Sequence, residues 1–550
     1  MYRLWLNTPR PSTRRAIRGA PRRCALPIWL FLAGTTWFWI LVFHANALAL
    51  VACNAADVYS QVSTCTSSSD PCIITEPIRC TGTCSNQCSY DFGTKVLSLK
   101  GANARFEWGN PGGGAADISI TAGSVQNFFA NESGIVRFDA GGGDLSVTAT
   151  TGTVNIASNI IQSIDGTATV AATNTSLGKS INGNCTFGTI DVHSTVTGAP
   201  GGTVSIGCRE VIVNDKIDVR SNGGGNAGSV TILTTDVGTP PSTSASVVAF
   251  LSADLLASVS TTASTADGGS VYIGPVAGAT FRPFVEVHSG STIDVGAKNG
   301  GAGSIAIDAD TFDLDASSSI SADANATSGT HGGSIEISAT SATYTYPVWI
   351  RGPVSSRAAT GGFVKIRFGG YGAIFDDTIN VASNQGPAGT GGAISIRSVA
   401  QAGATSGCWD CQEPGDPCVC AEPFNGDCNQ VISIGKDLLA HGYGSQGIGG
   451  TITLEAPRVT MANTGTTVRR MTTNATSGVD SSSGTAGGRI RIRARDSLFV
   501  AKTTSGTNHK IRSLPSAGNG EICTTQPDGG SFNPSLPVAG CLSIPSYAPT

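Results

Sequence analysis

The chain has 550 residues, 34 Lys and Arg against 38 Asp and Glu, a formal net charge of −4, and 71 glycines. A balance this close to neutral excludes a general nucleic-acid-binding role, which needs a strongly basic surface. Charged residues at only 13%, with abundant glycine, also exclude a protein of long helices, because glycine and β-branched residues are poor helix formers.

Residues 1–52 read as a signal peptide or membrane anchor. Arg10, Arg14, Arg15, Arg18, Arg22 and Arg23 form a basic start. An apolar run follows over 25–43, then small residues at Ala45, Ala47 and Ala49. Three fates fit: a signal-peptidase cut after Ala47 or Ala49; a lipobox-like Leu50-Val51-Ala52-Cys53, which makes Cys53 a lipidation candidate; or an uncleaved anchor, since the run is near bilayer length. Membrane contact is expected only through this signal, anchor or lipid.

The 16 cysteines point to an oxidising compartment. The disulfide candidates are Cys65, Cys72, Cys80, Cys84 and Cys88, then Cys185 and Cys208, then Cys408, Cys411, Cys418, Cys420 and Cys428, and last Cys523 and Cys541. Residues 53–100 form an irregular, Cys-rich N-terminal cap. A stack of open strands needs one, because its end exposes apolar side chains and unpaired edges.

From residue 101 the chain repeats one phrase. A glycine pair precedes two β-branched residues separated by one outward residue, as in Gly332-Gly333-Ser334-Ile335-Glu336-Ile337. Other copies hold Ile118/Ile120, Leu145/Val147, Val204/Ile206, Val230/Ile232, Val271/Ile273, Ile305/Ile307, Val364/Ile366, Ile394/Ile396, Ile452/Leu454 and Ile490/Ile492. Gly303, Gly333, Gly362 and Gly392 stand 30, 29 and 30 residues apart. Gly143 to Gly202 spans 59 and Gly392 to Gly450 spans 58, read as two periods each. Each period also holds a second strand such as Phe312-Asp313-Leu314 and a third such as Ile293-Asp294-Val295.

Three short strands and a glycine corner per period of about 30 residues predict an all-β, right-handed parallel β-helix with disulfide-stapled caps. The glycines are expected to supply positive φ at the corner. At about 4.8 Å per coil, a dozen coils would make a rod on the order of 60 Å long. The body runs over 101–402 and 431–500. A Cys-rich loop at 403–430 and a Ser/Thr/Ala-rich excursion at 238–266 interrupt it. Residues 501–550 form an irregular C-terminal cap.

The recurring Gly-Gly-x-Ile-x-Ile, followed by Ile-Asp-Val and a Gly/Ala/Asn loop, resembles the β-helical stalks of bacterial filamentous haemagglutinins and related adhesin-like exoproteins, over roughly residues 110–500. The resemblance is one of architecture. It implies a secreted or cell-surface protein of the bacterial outer envelope that binds a surface glycan or another extracellular polymer.

Four features are candidate sites. Asp308, Asp310, Asp313 and Asp315, with Asp323 beyond, could gather calcium through carboxylate oxygens. Arg489, Arg491, Arg493 and Arg495 alternate along one strand, and such a stripe could grip a polyanionic glycan. Trp409 and Phe424 would be the contact residues of the 403–430 loop, whose Cys-x-x-Cys could alternatively bind zinc. Asp376-Asp377, His331-Gly332 and Lys365-Ile366-Arg367 echo pieces of a pectin-cleaving site in the wrong order. Sampled outward residues (Ser119, Thr231, Tyr272, Ala306, Glu336, Lys365, Thr453, Arg491) vary too much for a lattice-matching face. The reading is a non-catalytic, adhesin-like scaffold; the alternative is a polysaccharide lyase or hydrolase on the same fold.

Overall fold

The computed structural model describes residues 50–525 apart from 110–114, 128–132, 173–182, 223, 235–247, 252–253, 259–264, 277–281, 326–329, 342–345, 371, 385–387, 400–429, 462–468, 475–486, 501–509 and 513–520. The described residues are all-β, with 38 strands hydrogen-bonded into one parallel network and a single α-helix.

Pairing follows three ladders. The first holds the repeated phrase: Ser304–Ala309 pairs with Ser334–Ala339, which pairs with Phe363–Phe368 and then Ala393–Ser398. The second runs through Phe284–Val287, Thr311–Leu314, Val348–Ile350 and Gly372–Phe375. The third runs through Thr292–Asp294, Ser319–Ser321, Val354–Ser355 and Ile379–Asn380. The chain visits first, second and third ladders in turn, and each strand pairs with its counterpart one repeat later.

Alternation decides what is buried. In Ser334–Ala339 the inward residues Ile335, Ile337 and Ala339 are buried, while Glu336 stands in solvent. The same positions stack between repeats, so Ile305, Ile335 and Val364 lie in one register line within the core. Each repeat thereby buries its apolar face and backbone donors against its neighbours.

The glycine pairs do a different job from the one expected. None of Gly228, Gly269, Gly303, Gly333, Gly362 and Gly392 has positive φ; that conformation occurs at Gly93, Gly101, Gly134, Gly198 and Gly290, among others. Instead, a Cβ on Gly303 would stand 2.7 Å from the carbonyl carbon of Gly269, and closer still to its oxygen. A Cβ on Gly332 would meet Gly362 of the next repeat at 2.5 Å. The first glycine clears the repeat above and the second clears the repeat below. Gly333 N–H also bonds back to Ala322 O at 2.9 Å, closing its own corner.

Three boundaries differ from the sequence reading. Residues 53–100 are not irregular: Cys72–Ile74, Pro77–Cys80 and Gln87–Asp91 already belong to the ladders. The excursion at 238–266 contributes Val248–Leu251 and Asp254–Leu256 to the second and third ladders. The 58-residue interval is one repeat, because Ala393–Ser398 pairs directly with the strand from Thr451; its length comes from the 403–430 insertion.

The N-terminal end is capped by the helix Ala55–Gln61, which buries Ala55 and Val58. Asn54 and Asp57 exchange the hydrogen bonds of a capping box. Cys53–Cys84, Cys65–Cys72 and Cys80–Cys88 staple this region, and Cys185–Cys208 links two repeats. Cys53 is therefore a disulfide partner, which corrects its reading as a lipid-bearing thiol. A lipobox cut before Cys53 would also remove Leu50–Val51, paired with Ile78 and Arg79, and the buried Ala52, whose carbonyl accepts from Tyr90 Oη at 2.7 Å. No helix among the described residues is long and apolar enough to cross a membrane.

Candidate functional site

The stacked glycine corners leave a groove along the repeat direction, with a volume of about 1120 Å³. Gly228, Gly269, Gly303, Gly333, Gly362 and Gly392 lie in its floor, where an added Cβ would press on the backbone of the neighbouring repeat. One wall is the first residue of each first-ladder strand: Thr203, Ser229, Ser270, Ser304 and Ser334, in continuous register, then Phe363 and Ala393. Turn residues, Asn226 and His331 among them, line the other side. At about 4.8 Å per rung, the groove is on the order of 30 Å long.

The groove is polar without being charged. The floor amides are already used: Gly201 and Gly332 donate to the next repeat at 2.8 Å, and Gly269 and Gly303 donate within their own at 2.8 Å. A ligand there would meet hydroxyls and spare carbonyl lone pairs, which suits an extended, hydroxyl-rich, uncharged chain.

The next outward row corrects the view of an unpatterned face. Ser89, Ser119, Ser146, Thr169, Ser205 and Thr231 pair in unbroken register, so a hydroxyl stands on every rung of the N-terminal half. Variety begins at Tyr272. The scattered sample read from the sequence took mostly C-terminal copies.

The acidic candidates do not gather into one cage. Asp308 pairs with Arg282 at 2.6 Å on the first ladder. Burial raises the Asp310 carboxyl above its usual range. On the second ladder, Arg351 takes Asp313 at 2.8 Å and Asp315 at 3.2 Å, and Asp323 is held by Arg357 at 2.6 Å. Burial raises the Asp313 carboxyl further than Arg351 lowers it, with Glu286 and Asp315 adding to the rise. Guanidinium groups thus stand where a calcium ion would need open oxygens.

Among the described residues, two other sets come close enough to share a cation: Cys80, Cys84 and Cys88, and Asp191, His193 and Asp218. The first set is disulfide-bonded. In the second, the buried Asp218 is clamped by Arg220 at 2.6 Å and by Lys216 at 3.3 Å. Burial alone would raise its carboxyl, but these cations hold it below the usual range.

Arg489 is exposed and Arg491 half-buried on the outer side of their strand; Arg489 lies between Thr451 and Glu521. For Arg493 and Arg495 only the backbone is described. Trp409, Phe424, Cys408, Cys411, Cys418, Cys420, Cys428 and Cys541 lie outside the described residues, as does the Cys523 side chain. The pectin-like fragments fall on separate elements: His331 lines the groove, Lys365 approaches Glu336 at 3.7 Å on the first ladder, and Asp376 follows a second-ladder strand.

Sequence reasoning passed over an aromatic patch on the second ladder. Trp349 is the outward residue of Val348–Ile350 and is 39% exposed; nearby Tyr346 is 46% exposed. Its signal was present: a bulky aromatic at the outward position between the inward Val348 and Ile350. No protein-family model matches the chain, and neither a curated protein nor a solved structure matches it.

Proposed function

We propose that this chain is an exported, right-handed parallel β-helix that serves as a non-catalytic secreted or cell-surface scaffold and binds an extended, uncharged glycan along its glycine-floored groove. The carrying observation is the groove itself, continuous over successive repeats, walled by in-register hydroxyls and free of charged groups in its floor. The cyclic order of the three ladders supports a closed coil of the kind found in adhesin-like exoproteins. The four disulfides support an oxidising compartment. The raised carboxyl of Asp313, which a polysaccharide-cleaving enzyme would need free as an acid, is tied up by three hydrogen bonds from Arg351 at 2.8, 2.9 and 3.3 Å.

Co-sedimentation with insoluble neutral polysaccharides tests the reading. Ser304 is exposed on the groove wall, so Ser304→Trp should obstruct the groove without touching the core. Binding should weaken at least about tenfold, or about 1.4 kcal/mol, with an unchanged melting transition. Wild-type binding by a folded Ser304→Trp protein would refute the groove as the site. Sustained release of new sugar ends from the same polysaccharides would favour the enzymatic alternative.

A further inference from the structure

We infer that the face around Trp349 is a second saccharide contact, separate from the groove, and that it selects a pyranose bearing a free amine. This deepens the glycan-binding reading by adding a site and a sugar class, but it rests on different residues.

The first argument is preorganisation. An indole left 39% exposed is free to change rotamer unless something holds it. Here its Nε1–H donates to Asp376 Oδ2 at 3.0 Å, tying it to the next repeat. The Arg351 guanidinium stacks 4.5 Å from the ring centroid. Arg351 is itself fixed by Asp313 and Asp315 of the preceding repeat. The ring is thus braced from both neighbouring repeats, and a ligand would lose little side-chain entropy in ordering it. Rigid aromatics of this kind offer large contact area at small entropic cost.

The second argument is charge. Glu286 and Asp313 occupy the register line that Trp349 continues. Asp315 and Asp376 lie immediately beyond the ends of neighbouring strands. Four carboxylates therefore lie along this face, Asp376 on the ring, Asp313 and Asp315 one repeat away and Glu286 two, against Arg351 and the exposed Lys436 one repeat beyond Asp376, and His288 is turned to Glu286 at 3.2 Å. That excess repels uronic or sulfated sugars and attracts a cation. Asp376 is exposed, and the indole occupies only one of its oxygens. A pyranose stacked on the side of the ring away from Arg351 would place an ammonium substituent within reach of that carboxylate.

The test uses the full mature chain and three soluble oligosaccharides of equal length: a glucosamine oligomer, a cello-oligomer and an oligogalacturonate. Affinities are measured by calorimetry at low salt for wild type, Trp349→Ala, Asp376→Asn and the groove variant Ser304→Trp. We expect wild type to bind the glucosamine oligomer most tightly. Trp349→Ala should lose at least about tenfold and Asp376→Asn several-fold, while Ser304→Trp retains this binding. Because Trp349 and Asp376 lie at the surface, both variants should keep the wild-type melting transition. Unchanged glucosamine binding by Trp349→Ala would overturn the inference, as would equally tight binding of oligogalacturonate. If Ser304→Trp loses the insoluble neutral glycan while Trp349→Ala binds the glucosamine oligomer as wild type does, the groove reading stands and this one falls; if Trp349→Ala loses the glucosamine oligomer while Ser304→Trp still binds the insoluble glycan, the reverse holds.

Discussion

Replacing Gly303 by Ala separates two reasons for a glycine at the corner. Positive φ would impose a left-handed penalty of about 1–2 kcal/mol on any side chain. Gly303 does not have positive φ, so its penalty is steric. The new Cβ would press on the Gly269 carbonyl, with the carbonyl carbon at 2.7 Å and Gly268 behind it at 2.8 Å. That same Gly269 oxygen accepts the Ser304 amide at 3.0 Å, and Gly303 N–H bonds Val295 O at 2.8 Å. Relief of the overlap must lengthen one of these bonds. Overpacking against backbone contributes about 1–3 kcal/mol, and a weakened buried hydrogen bond about 1 kcal/mol more. The reduced entropy of the unfolded chain returns about 0.4–1 kcal/mol. The net expectation is a loss of roughly 2–3 kcal/mol.

The matched control is Gly290→Ala, where φ is +86° and nothing lies within 4 Å of the added Cβ. That change should lose only about 1–2 kcal/mol. Urea denaturation of both variants gives the comparison, and amide hydrogen exchange at Ser304 and Ser334 reports whether opening is local to the affected rungs. A Gly303→Ala protein no less stable than Gly290→Ala would refute the close-stacking account.

Three further outcomes can be measured. The Cys53–Cys84 bond closes a loop with a sequence separation of 31, so the double variant Cys53→Ser, Cys84→Ser should lose roughly 3–4 kcal/mol on the loop-entropy estimate. The mature wild-type chain should show an unlipidated N-terminus by intact mass, beginning at Leu48 or Leu50; a diacylglyceryl mass increment would sink that reading. Burial, with the Arg470 charge behind it, lowers the His441 pKa to about 4. The unfolded imidazole titrates near 6.5, so as pH falls from about 6.5 to 4 the unfolded chain takes up a proton that the folded chain refuses, and stability drops. His441→Gln should flatten that part of the stability profile, and an unchanged profile would show that His441 does not set it.

Much of the fold was legible in the chain alone, because alternation and period are local. Ile335, Ile337 and Phe312 were readable as inward, and three strands per repeat followed from apolar pairs at fixed offsets. The role of the glycines was not readable, since a glycine demanded by φ and one demanded by a neighbouring backbone look identical in sequence. Nor was the 58-residue interval, because an insertion and a second repeat have the same length until pairing distinguishes them.

The candidate sites divide along the same line. Asp308, Asp313 and Asp315 were visible as an acidic run, but strand alternation and the corner at Asp310 send Asp308 to one ladder and Asp313 to another. Only the stacking of repeats brings Arg351 onto Asp313, 38 positions away. Register likewise turns Ser89 through Thr231 into one hydroxyl row, and sets Asp376 against the Trp349 indole. The sequence by itself determined which side chains face inward and how often the chain returns, since both depend on near neighbours. The tertiary structure decided which outward residues meet, since those contacts form between repeats and depend on register.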